Sequence, residues 1–104
     1  MFSKSKSHDR TQTQKKLIIL GGGLVGAPMA MDLAQEPELD VTVADISEEV
    51  LARLKSVPGI RAVKADLGDG VSLGDLLKNF DFAVNALPGF LGYQALKRII
   101  QAGL

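Results

Sequence analysis

The chain has 104 residues, enough for one small domain with a hydrophobic core but too few for two. Apolar residues make up 46% and charged residues 23%, as in soluble globular proteins, and the absence of cysteine excludes disulfides, thiolate nucleophiles and cysteine-based zinc sites. The net charge of zero is unevenly divided, because residues 1–16 carry +4 and the rest −4; the basic residues there, opposed only by Asp9, are Lys4, Lys6, Arg10, Lys15 and Lys16.

The positive charge lies in a stretch rich in Ser, Thr and Gln, so it does not predict a folded surface for nucleic acid. We expect residues 1–15, with His8, to be a disordered polar tail before a folded domain over residues 16–104. No apolar run approaches the roughly 20 residues that span a bilayer, so no membrane partner is expected. The lack of cysteine agrees with a reducing, cytoplasmic location.

The first half of the domain reads as strand, helix, strand, helix. "KKLIIL" is typical of a strand buried on both faces of a parallel sheet. Small and apolar residues from Leu24 predict a helix that ends at "QEPELD", with a mild irregularity at Pro28. "DVTVAD" predicts the second strand, after which Ser47 is expected to cap a second helix whose first turn carries Glu48 and Glu49.

The second half continues the alternation. "IRAVKAD" predicts a third strand, and the glycine-rich "LGDGVSLGD" is expected to lead into a short helix, "LLKNF", with Asp75 at its start. Asp81 then introduces a fourth strand, "DFAVNALP", and a last helix is stopped by Gly103. This alternation predicts an α/β fold, a doubly wound parallel sheet of Rossmann-like type with strand order 3-2-1-4.

Three glycines match G-x-G-x-x-G between the first strand and its helix. Gly21 allows a tight exit from the strand, Gly23 lets the backbone approach a pyrophosphate, and Gly26 lets the helix lie close to the strand. Leu24 and Val25 would offer amide hydrogens at the positive end of the helix. The alternative is a glycine-rich turn that only packs a helix onto a sheet.

An acid at the end of the second strand is the second sign of dinucleotide binding. Asp45 lies 19 residues after Gly26, where a carboxylate can accept hydrogen bonds from the adenosine ribose and would repel a 2′-phosphate. Ile46 and Ser47 follow without an arginine, which favours NAD over NADP, although Arg53 stands one turn into the next helix. A solvated strand-end acid without a ligand is the alternative.

Two further strand ends should meet the same crevice. Asp66 and Leu67 follow the third strand and are predicted at the adenine edge, although Asp66 could equally be a plain loop acid. The amide of Asn85 must find a partner in an otherwise apolar strand. We expect contacts on the nicotinamide side from Asn85, Ala86, Leu87 and Pro88.

The other polar residues give weaker evidence for a functional site. Tyr93 and Lys97 are one helical turn apart, as in the Tyr-x-x-x-Lys pair of short-chain reductases, but they come too early in the chain, so a surface or interface role is favoured. The sequence contains no metal-ligand constellation and no nucleophile–base pair.

Four segments together resemble the amino-terminal cofactor domain of the saccharopine dehydrogenase family, over residues 16–104. They are "LIILGGGLVGAPMAMDLA", "VTVADIS", "VKADLGD" and "VNALPGFLGYQALKRIIQAGL", of which the "NALPG" turn is the more specific. The resemblance implies an oxidoreductase that forms or oxidises a secondary amine between two amino-acid-like halves, with a nicotinamide cofactor. It places the pyrophosphate at Gly21, Gly23 and Gly26, the ribose at Asp45, the adenine at Asp66, and the nicotinamide at residues 85–88.

Enzymes of that family continue into more strands and a substrate domain, whereas this sequence stops at Leu104, where a fifth strand is due. We therefore expect a cofactor-binding module, truncated before strand 5 and not catalytic alone. Its open fourth strand would meet the missing substrate domain or a second copy. The alternatives are a nucleotide-sensing regulatory domain of the potassium channel or transporter type, and a structural remnant that binds nothing.

Overall fold

The computed structural model describes residues 14–104, in which strands and helices alternate. The elements are β1 Lys15–Leu20, α1 Gly26–Leu33, β2 Leu39–Asp45, α2 Glu48–Lys55, β3 Ile60–Lys64, α3 Gly70–Leu77, β4 Phe82–Asn85 and α4 Gly89–Gln101. Residues 1–13 of the expected tail, His8 among them, lie outside the described residues. Lys15, the last residue of that tail, belongs to β1. None of the helices within residues 14–104 is long and apolar enough to cross a membrane.

The four strands form one parallel sheet in the order β3-β2-β1-β4, which confirms the prediction. β1 is central, with Leu17 beside Val41 of β2 on one side and Phe82 of β4 on the other. Because all strands run the same way, the turns that follow them meet at one edge of the sheet. β3 and β4 are the two outer strands.

Successive side chains of β1 enter opposite cores, because side chains alternate along a strand. Ile19 packs with α1 and α2 on one face, whereas Ile18 and Leu20 pack with α3 and α4 on the other. All three side chains are fully buried, as the unbroken apolar run of this strand predicted. The chain therefore changes face between β3 and β4, which creates a topological switch point between β1 and β4.

α1 lies directly against the exit of β1. Gly26 is buried, and a methyl group on it would overlap the carbonyl oxygen of Gly21. Gly21 has φ +95°, a left-handed conformation that favours glycine. The first and last glycines of the motif are thus both required by the backbone, as the sequence indicated.

α1 begins at Gly26 rather than at Leu24, two residues later than the sequence predicted, so Pro28 lies in its first turn, where a residue without an amide hydrogen is tolerated. The amides of Ala27 and Met29, on either side of Pro28, donate to the carbonyls four residues earlier at 3.1 and 3.3 Å. The helix then continues to Leu33, and the irregularity expected at Pro28 is not observed.

α3 begins earlier than the sequence predicted. It starts at Gly70, so Asp75 lies within the helix, and the prediction of a helix start at Asp75 was wrong. The true cap is Asp69, whose carboxylate accepts from the amides of Ser72 and Val71 at 3.3 and 3.1 Å. These hydrogen bonds, those from Ser72 foremost, hold the pKa of the Asp69 carboxyl below its ordinary value. The glycines at positions 70 and 74 made this segment resemble a loop, but its cap and its buried leucines stabilise it as a helix.

Three other local signals are confirmed. The Ser47 hydroxyl accepts the amide hydrogen three residues later at 3.3 Å and caps α2. Gly103 has φ +83°, and the amides of Gly103 and Leu104 donate back into the last turn of α4 at 3.0 and 3.2 Å, which is the Schellman arrangement. The carboxylate of Asp81 accepts from the amide of Lys16 at 2.8 Å and fixes the start of β4 beside β1.

Two helical glycines give opposite predictions. Gly26→Ala should lower the free energy of unfolding by about 2–3 kcal/mol, because the added methyl overlaps the backbone of Gly21. Gly74→Ala, in α3, meets no atom within 4 Å and should raise it by about 0.5–1 kcal/mol. Urea unfolding followed by circular dichroism measures both, and equal effects would contradict the proposed contact.

Candidate functional site

A cleft of about 430 Å³ opens at the carboxyl edge of the sheet, between the turns that follow β1, β2 and β4. We call it the switch-point cleft, because it lies where the chain changes face. Eight of the thirteen residues predicted from the sequence line it: Gly21, Gly23, Leu24, Val25, Asp45, Ala86, Leu87 and Pro88.

The turn after β1 presents bare backbone to this cleft. An added side chain on Gly23 would meet no atom within 4 Å, so the space above it is open. Leu24 and Val25 are 98% and 60% exposed, and within residues 14–104 their amides donate to no partner. These amides precede the first turn of α1, where the helix dipole favours an anion.

Asp45 faces the cleft from the end of β2 and is half-buried. One carboxylate oxygen accepts from the amide of Gly22 at 2.8 Å, and the other accepts from the amide of Ser47 at 2.9 Å. Each oxygen keeps a second lone pair for another donor. The carboxylate therefore ties the glycine turn to the start of α2 and is held in place for a ligand in the cleft.

Gly22, the extra glycine of the motif, packs closely against the side chains beneath the turn. A Cβ there would come within 2.8–2.9 Å of the side chains of Val43, Val50 and Leu54. Its role is close packing on β2 and α2, which the one-dimensional motif does not reveal.

Five predicted site residues do not line the cleft. Gly26 lies beneath the turn, and Leu67 is buried in the α3–α4 core with only 7% of its surface exposed. Ile46 is exposed beside Asp45, and Asp66 is exposed after β3, where its carboxylate accepts from the amide two residues later at 2.9 Å. The fifth is Asn85.

The side-chain amide of Asn85 is hydrogen-bonded, as the sequence required, but its partners belong to the chain itself. Its Nδ2 donates to the carbonyl of Gly92 at 2.7 Å, and its Oδ1 accepts from the amide of Leu87 at 3.2 Å. Gly92 in turn packs so closely on Leu87 that an added methyl would overlap the Leu87 carbonyl. Asn85 is therefore a positioning residue, which fixes the Leu87–Pro88 wall of the cleft against α4.

The charges around the cleft are few. None of its lining residues is a lysine or arginine, and Asp45 is the ionisable residue among them. Tyr93 and Lys97 lie outside it on exposed α4, with the Lys97 Nζ 5.7 Å from the ring centroid, a cation–π contact. Within residues 14–104, no group of three or more His, Cys, Asp or Glu could hold a metal ion.

A second cleft, of about 560 Å³, runs between α1 and α2 and shares Gly23 and Leu24 with the first. We call it the α1–α2 groove. Apolar side chains dominate its lining, and its one charged lining residue is Arg53. This groove is not visible in the sequence, because its walls come from two separate helices that β2 divides.

A parallel sheet in this order, with a glycine turn, a helix amino terminus and a strand-end acid meeting at the switch point, defines a dinucleotide-binding domain of the Rossmann type. Residues 17–104 match the family described as the saccharopine dehydrogenase NADP binding domain, and the chain belongs to this family. A nicotinamide dinucleotide is therefore the cofactor class, and of the two predicted protein classes the match supports the oxidoreductase.

Solved structures of other proteins have a similar fold. Apo saccharopine dehydrogenase (L-Glu forming) from Saccharomyces cerevisiae is similar at a TM-score of 0.74, with 26% identity over 86% of this chain. The chain spans only 20% of the length of that enzyme. An isoflavone reductase (TM-score 0.65, 21% identity, 88% of this chain and 34% of that one) and an anaerobillin reductase from Escherichia coli O157:H7 (0.62, 17%, 86% and 47%) share the fold.

The positioning role of Asn85 predicts a loss of stability. Asn85→Leu should lower the free energy of unfolding by about 2–3 kcal/mol, because the Leu87 amide and the Gly92 carbonyl lose their half-buried partner. Asn79→Leu, which removes an exposed amide at the end of α3, should change it by less than about 0.5 kcal/mol. Urea unfolding compares the two, and similar values would argue against the positioning role.

Proposed function

We propose that this chain holds NAD as the cofactor-binding part of a saccharopine dehydrogenase-like oxidoreductase, whose substrate is a secondary amine linking two amino-acid-like groups. The observation that carries the proposal is that the Asp45 carboxylate and the amides of Leu24 and Val25 reach the same cleft at the switch point. The absence of cysteine supports a reducing, cytoplasmic setting.

Binding of the pyrophosphate is assigned to backbone groups. The turn at Gly23 leaves room for phosphate oxygens, and the amides of Leu24 and Val25 supply donors at the positive end of α1. Because no lysine or arginine lines this cleft, these donors and the helix dipole carry the recognition of the negative charge.

Selection of NAD is assigned to Asp45. Its two oxygens can accept the adenosine ribose hydroxyls, whereas a 2′-phosphate would bring like charge against the carboxylate. Ile46 and Ser47, the residues that follow it, contribute no cation. The border of the adenine is assigned to Ile46 and Asp66, whose side chains are exposed after β2 and β3.

The nicotinamide is assigned to the wall formed by Ala86, Leu87 and Pro88, which Asn85 holds against α4. The bound cofactor supplies hydride transfer, while this chain supplies binding and orientation. The groups that hold the substrate and exchange its proton are proposed to lie in a further domain, since Asp45 is already committed to the turn and the ribose.

The ribose assignment predicts a ligand-specific loss. The chain should bind NAD about tenfold more tightly than the analogue that lacks the 2′-hydroxyl of the adenosine ribose, because a hydrogen bond to a charged acceptor is lost. In Asp45→Ala this preference should disappear, and the affinity for both ligands should fall. Isothermal titration calorimetry measures the four affinities.

Asp81→Ala is the matched control, since Asp81 also accepts a backbone amide but at the opposite end of the sheet. It should keep the preference for the 2′-hydroxyl. Equal affinity of the unaltered chain for the two ligands would contradict the ribose role, and no binding of NAD, NADP or ADP would overturn the proposed function.

The partner is proposed to be a substrate-binding domain of the same polypeptide. Tyr93, Leu96 and Ile100 form an exposed stripe on the side of α4 away from α3, and Phe82 is half-exposed on the outer strand β4. The match to only 20% of the yeast enzyme supports a further domain as the partner that covers this stripe and strand. The isolated chain would then pair with a second copy instead.

Sedimentation velocity across a concentration series tests this surface. Residues 1–104 alone should form a concentration-dependent dimer, and Ile100→Lys should weaken its formation by about tenfold or more, because a charge enters an apolar contact. Val71→Lys, at an exposed apolar position on α3, should leave the dimer unchanged. A monomer at every concentration would contradict self-association.

A further inference from the structure

A polar cleft of about 310 Å³ lies at the amino edge of the sheet, at the opposite end of the strands from the switch-point cleft. We call it the amino-edge cleft. Three strands and the turn after α3 supply its lining residues, which are Lys16, Asp40, Thr42, Arg61, Asn79 and Phe80. None of these residues lines the switch-point cleft.

The register of the sheet brings four of these side chains together. Lys16 of β1 lies beside Asp40 of β2, and Thr42 of β2 lies beside Arg61 of β3. Because side chains alternate along a strand, all four belong to the face on which β1 buries Ile18, the face of α3 and α4. The cleft is therefore built by residues from three separate strands.

Thr42 is the one polar side chain that is buried in the described part of the chain, with 5% of its surface exposed. Its hydroxyl forms no hydrogen bond with any residue from 14 to 104. A buried hydroxyl without a partner costs free energy, and native structures seldom leave one unpaired. The Thr42 hydroxyl therefore indicates a ligand atom in the cleft that it lines.

The lining residues carry one positive charge in excess, because two cations face one carboxylate. The Arg61 Nε donates to Asp40 Oδ1 at 3.0 Å, but the two terminal nitrogens of Arg61 donate to no described residue. The Lys16 Nζ forms no salt bridge within residues 14–104. Asp81 accepts the backbone amide of Lys16 and does not line the cleft. The charge in this cleft therefore favours an anion.

We propose that the amino-edge cleft binds a small organic carboxylate, a second ligand that is separate from the cofactor. The carboxylate would lie between the Lys16 ammonium and the terminal nitrogens of Arg61, whose planar pair of donors matches its two oxygens. The Thr42 hydroxyl is the third donor, and the ring of Phe80 borders the organic part. A doubly charged phosphate fits less well, because its second charge would meet Asp40.

Titration of residues 1–104 with propionate at constant ionic strength, followed by two-dimensional amide NMR, tests this site. The amides of the lining residues should shift along one saturable curve. Propionamide, which has a similar shape but no charge, should bind at least about tenfold more weakly. Lys16→Ala should weaken propionate binding about tenfold and Thr42→Val about fivefold, whereas Thr42→Ser, which keeps the hydroxyl, should retain more of the affinity.

Thr42→Val also tests whether the hydroxyl lacks a partner inside the protein. The midpoint of urea unfolding without propionate should stay the same or rise, because the substitution removes no internal hydrogen bond and replaces a buried polar group with an apolar one of the same shape. A lower midpoint would show that the hydroxyl has an internal partner and would overturn the proposal.

Lys15→Ala is the matched control, because Lys15 is the neighbouring lysine of β1 on the opposite face and does not line the cleft. It should leave propionate binding unchanged, and all four variants should keep the affinity for NAD. Equal binding of propionate and propionamide, tighter binding of phosphate than of propionate, or equal losses in Lys15→Ala and Lys16→Ala would overturn the assignment. A chain that binds NAD but not propionate would overturn it and leave the proposed function standing, and the converse would overturn only the proposed function.

Discussion

The close approach of α1 to the exit of β1 is the constraint on which the site depends. Gly26 lies against the carbonyl of Gly21, so the amino terminus of α1 is set directly over the switch point. This contact brings the positive end of α1, with the amides of Leu24 and Val25 that have no partner within residues 14–104, to the edge of the sheet where the parallel strands end. A larger residue at Gly26 would overlap the Gly21 carbonyl and move the helix, and the wall of the cleft at Leu24 and Val25 would move with it.

Asp45 joins two local structures and also faces the switch-point cleft. It accepts the amides of Gly22 and Ser47, so the glycine turn and the cap of α2 share one acceptor. These two bonds fix the orientation of the carboxylate at the cleft. Asn85 differs, because both polar atoms of its side chain are satisfied inside the chain and it acts on the cleft only through Leu87 and Gly92.

Much of the molecule could be predicted because local chemistry specifies it. The buried apolar run of β1, the Ser47 cap, the Gly103 stop and the glycine motif are each decided by residues close in sequence. The strand order was predicted from the doubly wound fold that a strand, a glycine turn and a helix at the start of the domain indicate. The start of α3 was misplaced because its glycines suggest a loop, while the Asp69 cap and distant packing stabilise a helix.

The sequence by itself determined the class of site, since a glycine turn between a strand and a helix, with Asp45 after the next strand, has few other uses. Only the tertiary structure decided which residues line the switch-point cleft. Asn85 ends β4 and Leu67 follows β3, as the predicted site residues end or follow strands, yet Leu67 is buried in the core and Asn85 bonds within the chain. Arg53 lines the same groove as Gly22 only because Val50 and Leu54 of α2 pack on that glycine, and no local sequence pattern indicates this contact between distant residues.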